Sequence, residues 1–290
     1  MSERRRLQRI LVTNDDGVRA PGLMLLEEIA RGFAEEVWVV APETNHSGAG
    51  HSLTLRRPLR IRRLSERHFA VDGTPTDCVL LALQHIIRQP VDLVLSGINH
   101  GSNLGDDVTY SGTIAAAMEA TLLGVPAIAL SQACRDRDPV KWRTAATYAP
   151  EVIARLLLAP PGRDVLVNVN FPDVDPEAVC GIAVTRQGKR KIGDELVERL
   201  DPRGEPYVWI GALRQEESGG EGTDIAAVAS GWVSVTPIHM DMTHYASLPT
   251  LGRLFEDVSF ASAAKRVQKV GDRKAVSTNA STASGGRVAE

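Results

Sequence analysis

The segment ILVTNDDG, residues 10–17, joins an apolar run to two adjacent carboxylates and a glycine. The run has the length and the Val, Ile and Leu content of a buried strand, and Gly17 can free the backbone to turn sharply after it. None of the comparable runs alternates with polar residues, so both faces of each strand are expected to be covered, as in a parallel sheet. These other runs span residues 37–41, 91–96, 125–131 and 165–170.

Longer amphipathic stretches separate the apolar runs. They predict helices over about residues 21–32, 75–88, 111–123 and 140–157. Strands that alternate with crossover helices predict a doubly wound, three-layer α/β/α sandwich with a mostly parallel sheet.

The alternation of apolar runs with amphipathic stretches ends near residue 180. Glycine-punctuated segments predict an extended β-hairpin over about residues 185–210, followed by a strand over 232–238 and a last helix from Pro249 to about Lys269. Residues 271–290 are rich in Ser, Thr, Ala and Gly, which predicts a disordered tail after a single domain over residues 1–270.

Composition excludes several classes of protein. The 290 residues carry a net charge of −3, which provides no global attraction for a nucleic acid polymer. No stretch approaches the ~20 apolar residues of a membrane-spanning helix, and the apolar run near the start is too short for a signal peptide. The three cysteines fit neither a zinc site nor a disulfide framework, so we expect a cytoplasmic protein.

The adjacent carboxylates of Asp15 and Asp16 are the sharpest chemical feature of the sequence. Two such charges ~4.5 Å apart repel by roughly 4 kcal/mol at an effective dielectric constant of ~20. A divalent cation such as Mg²⁺ or Mn²⁺ would offset that repulsion most directly, because it prefers oxygen ligands. The alternative is a surface turn in which Asp15 caps the following helix.

Two further polar loops follow strands that end at the same edge of the predicted sheet. They offer Ser47 and Asn99 as neutral oxygen ligands, although both residue types are also common in turns. The second loop runs into Ser111, Gly112 and Thr113, which open a predicted helix. The N-terminus of a helix is a common binding site for phosphate. The alternative to a phosphate site is that Ser111 only caps the helix.

Other residues in these loops are candidates for supporting roles. Asn103 would shape the loop before Ser111, whereas Asp106 and Asp107 are expected to face solvent. His46, His51 and His100 could donate protons or simply be solvated. In DGTPTDC, residues 72–78, a turn and a helix start capped by Thr74 or Thr76 are expected, and a substrate role stays open. The sequence contains no P-loop, dinucleotide fingerprint or nucleophile elbow.

Several long motifs, in order, resemble the SurE family of metal-dependent nucleoside monophosphate phosphatases. The resemblance covers roughly residues 8–260. It is carried by LVTNDDG (11–17), APETNHSG (41–48), DGTPTDCV (72–79), SGINHGSNLGDDVTYSGT (96–113) and TDIAAVASGWVSVTPI (223–238). One departure is His46, which stands where many relatives carry arginine.

The resemblance implies a Rossmann-like α/β core and hydrolysis of nucleoside 5′- and 3′-monophosphates, with short polyphosphate as a further substrate. It implies that one divalent cation, Mg²⁺ or Mn²⁺, is held in each subunit by Asp15, Asp16, Ser47 and Asn99, and that Ser111, Gly112 and Thr113 hold the phosphate with Asn103 nearby. It also implies a homodimer or homotetramer that exchanges the hairpin, about 185–210, and a C-terminal segment, about 240–268.

The expected reaction is in-line attack of water on the phosphoryl group, with Asp15 or Asp16 orienting or deprotonating that water. Two other functions stay open at this point. One is a broad acid phosphatase that acts on phosphosugars or polyphosphate. The other is a regulatory module that binds nucleotide or metal without turnover.

Overall fold

The structure is a computed structural model, and it describes residues 6–135, 139–160, 162–192, 196–210, 214–216 and 220–256. The helices are α1 (Pro21–Arg31), α2 (Pro75–Leu81, continued by a π-helical turn over Ala82–Ile86), α3 (Gly112–Leu122), α4 (Trp142–Leu158), α5 (Asp224–Ala229) and α6 (Leu248–Phe255). The strands are β1 (Leu7–Thr13), β2 (Ala34–Pro42), β3 (Ile61–Arg63), β4 (His68–Val71), β5 (Leu93–His100), β6 (Ala127–Gln132), β7 (Val165–Phe171), β8 (Gly181–Val184), β9 (Arg190–Ile192), β10 (Leu196–Leu200), β11 (Pro206–Ile210), β12 (Arg214–Glu216) and β13 (Trp232–His239).

The main sheet has nine strands in the order β3-β4-β2-β1-β5-β6-β7-β13-β8. Its central strands, from β4 to β7, run parallel to one another. Strand β13 pairs antiparallel with β7, and β3 pairs antiparallel with β4. The mostly parallel α/β sheet predicted from the sequence is therefore confirmed.

Two apolar clusters lie on opposite faces of the sheet. Alternate residues of β1 serve one or the other, since Ile10 and Val12 pack toward α1 and α4, whereas Leu11 packs toward α2 and α3. Such strands must be apolar at every position, which explains the continuous runs in the sequence. The arrangement is the predicted three-layer sandwich.

Helix α1 crosses the sheet at very short range. A Cβ atom at Gly22 would lie 1.9 Å from the carbonyl oxygen of Ile98 and 3.0 Å from the ring of Trp142. Only a glycine lets the helix approach the end of β5 this closely. The packing also fixes the end of β5, where Asn99, a predicted metal ligand, follows Ile98 directly.

The predicted hairpin is present as two antiparallel pairs, β10 with β11 and β9 with β12. It extends beyond the predicted end at residue 210, because β12 reaches Glu216. The sequence did not predict β3, β4, β8 or α5. These elements are short, and β3 carries two exposed arginines in place of an apolar run.

The chain divides into two compact units, with the second beginning at Met242. The described part of the second unit contains α6, which begins at Leu248 and ends at Phe255. The last helix was predicted from Pro249 to about Lys269, and residues 257–269 lie outside the described residues, as does the predicted tail over 271–290. In the part of the chain that the structure describes, no helix is long and apolar enough to cross a membrane.

Replacing Gly22 by alanine should destabilise the protein by about 3 kcal/mol, the upper end of the usual cost of overpacking. The new methyl group would collide with backbone, which cannot move aside as a flexible side chain can. Urea unfolding followed by circular dichroism would measure the change.

The matched control is Gly252→Ala in α6, where a Cβ would meet no atom within 4 Å. That change should be neutral or should stabilise by up to about 1 kcal/mol, because alanine favours helix more than glycine does. Equal effects of the two substitutions would contradict the close packing at Gly22.

Candidate active site

The predicted metal ligands lie at the carboxyl ends of three neighbouring strands, β2, β1 and β5. Asp15 and Asp16 follow the end of β1, Ser47 lies in the turn after β2, and Asn99 is the penultimate residue of β5. The paired register of Thr13 with Ser96 places the ends of β1 and β5 side by side. This is the edge at which parallel α/β sheets bind their ligands.

Asp15 is a buried carboxylate, only 4% exposed. Thr113 donates its hydroxyl hydrogen bond to Oδ1 at 2.5 Å. Burial raises the pKa of Asp15 to about 6, the nearby charge of Asp16 adds to the rise, and the Thr113 hydrogen bond opposes it. A raised pKa means that the ionised form is under-stabilised by the protein alone.

Asp16 is less enclosed than Asp15, yet burial raises its pKa as well. The backbone N–H of His100 donates to Oδ2 of Asp16 at 2.9 Å and, like the nearby ring of His100, works in the opposite direction. This bond ties the loop after β1 to the end of β5. Both carboxylates therefore lack part of the compensation that their charges need.

The turn that presents the carboxylates is fixed by local hydrogen bonds. The side chain of Asn14 donates to the carbonyl of Gly17 at 3.0 Å and accepts from its N–H at 3.3 Å. Gly17 has φ +105°, a conformation that side-chain-bearing residues rarely adopt. In addition, the N–H of His46 donates to the carbonyl of Asp15 at 2.8 Å, which attaches the loop after β2 to the same turn.

Ser47 and Asn99 present their oxygens in different settings. Ser47 is exposed, and its N–H donates to Oδ1 of Asn45 at 2.7 Å, so its hydroxyl lies on an ordered turn. Asn99 is 9% exposed and donates from Nδ2 to the carbonyl of Gly101 at 2.8 Å. That bond fixes the amide so that Oδ1 is the end left to accept.

The donor set suits a hard cation and not a transition metal held by soft or imidazole ligands. Among the described residues, no group of three or more His, Cys, Asp or Glu side chains is arranged to hold a metal ion. The two carboxylates with an amide and a hydroxyl oxygen are a different set, composed of oxygen alone.

Helix α3 begins directly against Asp15. A Cβ at Gly112 would lie 2.6 Å from Cβ of Asp15 and 2.9 Å from its Oδ2, so a side chain there would displace the carboxylate. Ser111 is the N-cap, and its Oγ accepts the N–H of Ile114 at 3.1 Å. The predicted cap is thus present, and it leaves the hydroxyl hydrogen of Ser111 able to donate.

Thr113 makes a contact that the sequence analysis did not predict. Its hydroxyl is engaged with Asp15, so its backbone N–H is the group that faces the N-terminal end of the helix. The sequence pattern could not reveal this bond, because it joins residues 98 positions apart.

Asn103 belongs to a buried polar network that the sequence did not predict. Its N–H donates to Oδ1 of Asn170 at 2.8 Å, and its Nδ2 donates to Oγ of Ser131 at 2.8 Å. Its carbonyl accepts from Asn168 at 2.9 Å and from Asn170 at 3.1 Å. The network fixes the loop that precedes Ser111 above the ends of β6 and β7.

The expectation that Asp106 and Asp107 face solvent is wrong for Asp107. This residue is 2% exposed, and its carboxylate forms an ion pair with Arg190, whose side chain is 4% exposed. The sequence analysis placed Arg190 in the predicted hairpin, among other basic residues. No local pattern shows that one of them is buried against a loop 83 residues away.

The loop after β2 is held by two carboxylates that sequence reasoning did not select. Asp77 accepts from the N–H and the hydroxyl of Thr54, and it forms a capping box with Thr74, which confirms the predicted Thr74 cap. Glu119 of α3 lies 3.0 Å from Nε2 of His51. Nε2 of His51 is therefore paired with the carboxylate of Glu119.

This chain is similar to proteins of one known family. The model of the family described as survival protein SurE matches residues 10–194, which include every predicted metal and phosphate ligand. The chain belongs to the SurE family. The 5′-nucleotidase SurE of Paramagnetospirillum magneticum is 61% identical over 248 residues, which are 85% of this chain and 95% of that protein.

Two other relatives extend the comparison. The 5′-nucleotidase SurE of Rhodospirillum rubrum is 54% identical over 251 residues, covering 85% of this chain and 94% of the relative. The crystal structure of the SurE protein from Aquifex aeolicus has a TM-score of 0.75 and 42% identity, covering 85% of this SurE-family chain and 99% of that chain.

Without metal, this SurE-family protein should lose stability as Asp15 ionises. The pKa of Asp15 is raised from 3.8 to about 6 in the fold, so its contribution is full below pH 4 and is lost as pH rises through 6. The loss should be on the order of 3 kcal/mol. Urea unfolding of the wild type and of Asp15→Asn in EDTA, from pH 4.5 to 7.5, would measure it.

Asp15→Asn should be the more stable protein at pH 7.5 and should lose that advantage at pH 4.5. A difference that stays constant across this range would show that the fold does not penalise the ionised Asp15.

Replacing Thr113 by valine should lower the free energy of unfolding by about 2 kcal/mol at pH 8 in EDTA, because a buried ionised carboxylate loses a hydrogen-bond donor. Thr113→Ser keeps the hydroxyl and is the matched control, expected to stay within about 1 kcal/mol of the wild type. If serine and valine are equally destabilising, the lost methyl packing and not the hydrogen bond to Asp15 is the cause.

Proposed function

We propose that this chain hydrolyses nucleoside 5′-monophosphates, and also 3′-monophosphates, to nucleoside and phosphate with the aid of one divalent cation, Mg²⁺ or Mn²⁺. The observation that carries the proposal is the contact between the Asp15 carboxylate and the start of α3 at Gly112. A site for a cation and a site for an anion thus lie next to each other. The names of the SurE relatives, 5′-nucleotidases, support the choice of nucleotides.

The residues present fit a hard divalent cation. Asp15 and Asp16 carry two negative charges whose ionised forms burial disfavours, which is the imbalance a dication corrects. Asp15, Asp16, Ser47 and Asn99 would hold it, each through oxygen. Such a cation, when bound, supplies Lewis acidity toward a phosphoryl oxygen and makes water easier to ionise.

The phosphate would bind at the start of α3. The first N–H groups of a helix have no partner within the helix, and those of Gly112 and Thr113 lie at this end together with the positive end of the helix dipole. The Ser111 hydroxyl can donate to the same anion, because its oxygen already accepts from Ile114. Asn103 contributes by holding the loop through its buried network.

The remaining steps are assigned to groups on this chain. Asp16 has one oxygen bonded to the N–H of His100, and its other oxygen can orient or deprotonate the attacking water. His46 and His100 are the histidines in these loops that could protonate the departing nucleoside oxygen. His51 is a weaker candidate for this proton donor, because its Nε2 is already paired with Glu119.

We further propose that the protein forms a homodimer or homotetramer in the cytoplasm. The hairpin strands β10 and β11 expose a set of large apolar side chains, which favours burial against another subunit. These side chains are Leu196, Leu200, Tyr207, Val208, Trp209 and Ile210. The unpaired thiols of Cys78 and Cys180 fit a reducing compartment.

Phosphate release from a panel of esters tests the proposed function. The protein is stripped with EDTA, and Mg²⁺ or Mn²⁺ is then added back with nucleoside 5′- or 3′-monophosphates, a phosphosugar or short polyphosphate. We expect release from nucleotides only after a cation is restored. Preference for a phosphosugar or polyphosphate would favour the broad phosphatase, and tight nucleotide binding without release would favour the regulatory module.

Asp15→Asn and Asn99→Ala should each lower kcat/KM by at least about 100-fold, a loss on the order of 3 kcal/mol, and should raise the cation concentration needed for half-activity. Asp175→Asn is the control, since that exposed carboxylate lies outside the site and should leave both values unchanged. Full activity of Asp15→Asn, or of the wild type in excess EDTA, would refute the cation-dependent site.

A further inference from the structure

The base of the hairpin, residues 187–190, contacts the loop after β5. This loop leads into the proposed phosphate site at the start of α3. Nε of Arg190 donates to Oδ2 of Asp107 at 3.1 Å, and Nη2 donates to the same oxygen and to Oγ of Ser102 at 3.2 Å. Both charged side chains are almost completely buried, at 4% and 2% exposure. Burial at this level is unusual for an arginine unless it has a specific partner.

Asp107 connects this ion pair to the start of α3. Its backbone carbonyl accepts the N–H of Tyr110 at 3.0 Å and the N–H of Ser111 at 3.1 Å. The residue that receives the guanidinium therefore also sets the position of the N-cap. Ser102, the other side-chain contact of Arg190, directly precedes Asn103.

Gln187 of the hairpin base and Asp224, the first residue of α5, hold the same loop. The side chain of Gln187 donates to the carbonyl of Gly105 at 2.9 Å. Asp224 accepts the N–H of Gly105 at 2.9 Å through one oxygen and the N–H of Gly188 at 2.8 Å through the other. A Cβ at Gly105 would lie 3.1 Å from the nitrogen of Arg190, so the two segments are in direct contact.

The charges make Arg190 more than a structural clamp. Within the described residues, Oδ1 of Asp107 is buried and has no hydrogen-bond partner, so this carboxylate depends on Arg190 for its compensation. Asp107 lies four residues before Ser111, where an anion would bind. An uncompensated negative charge there would repel a phosphate, and its desolvation would favour movement of the loop.

We propose that Arg190 is a positioning residue for the substrate phosphate: it cancels the charge of Asp107 and fixes the turn that places Ser111, Gly112 and Thr113. The inference rests on the proposed function, because it assigns the start of α3 to a phosphate. It also makes the hairpin a supporting element of the active site in addition to its proposed role in assembly.

Arg190→Met and Arg190→Lys test this assignment. The steady-state parameters for a nucleoside 5′-monophosphate are measured together with inhibition constants for inorganic phosphate and for the free nucleoside. Arg190→Met should raise KM and the phosphate inhibition constant at least tenfold, leave the nucleoside inhibition constant within twofold, and leave the half-activating cation concentration within twofold. Arg190→Lys should recover part of the phosphate affinity.

The matched control is Lys189→Met. Lys189 is adjacent in sequence, and its ammonium lies 3.6 Å from Asp106, but the side chain is 79% exposed. Its removal should leave every parameter within twofold. The double variant Arg190→Met with Asp107→Asn removes the buried charge and should restore part of the phosphate affinity lost in Arg190→Met, because no uncompensated carboxylate then remains beside the start of α3.

An unchanged phosphate inhibition constant in folded Arg190→Met would overturn the inference, as would an equal loss of phosphate and nucleoside affinity. If that variant does not fold, Arg190→Lys and the double variant decide by the same two constants. The proposed function is judged separately, by phosphate release from wild-type protein. If release is absent, calorimetric titration of inorganic phosphate into the cation-loaded wild type and variants still tests Arg190.

Discussion

The burial of the Asp15 carboxylate beside the half-buried Asp16, at the end of a central strand, is the constraint on which the rest of the site depends. Asp15 cannot move into solvent, because Gly112 of α3 lies against it and Asn14 and Gly17 fix the turn that carries it. The chain compensates only in part, through Thr113 and the backbone of His100. The surrounding loops bring further side-chain oxygens and backbone N–H groups to the same edge of the sheet.

Three separate segments must be held at fixed distances for this arrangement to work. The loop after β2 is attached to Asp15 through His46, to α2 through Asp77 and to α3 through the pair of His51 and Glu119. The loop after β5 is held by the network of Asn103 and by the hairpin base. Burying polar groups is costly when they lack hydrogen-bond partners. These contacts therefore favour one conformation of each loop.

Much of the fold could be predicted from the sequence because strands buried on both faces leave continuous apolar runs. Segments such as ILVT and VLVNVN had few other interpretations, and crossover helices follow from parallel strands. The location of the candidate site could also be predicted, since Asp15 and Ser111 come after strands β1 and β5 and Asn99 lies at the end of β5, at one edge of the sheet. Capping by Ser111, and by Thr74 or Thr76, followed from residue type, and the structure selects Thr74.

The parts that escaped prediction depend on contacts between distant segments. The sequence analysis selected Thr113 as a phosphate ligand. Only the packing of α3 on β1 shows that its hydroxyl donates a hydrogen bond to Asp15. Arg190 is one of several basic residues in its segment, and Asn168 and Asn170 lie inside an apolar run, so composition gave no reason to select any of them. The short strand β3 has two exposed arginines in place of an apolar run, and β8, although its four residues are apolar, is too short for its pattern to indicate a strand.

Those two short strands have a consequence for how the molecule behaves at high concentration. The unpaired edge of a sheet is a template on which a foreign strand can add, and long flat edges promote aggregation. Here one border is the three-residue β3 with the exposed arginines Arg62 and Arg63, and the other is the four-residue β8. Both borders are therefore too short to support edge-to-edge growth of the sheet.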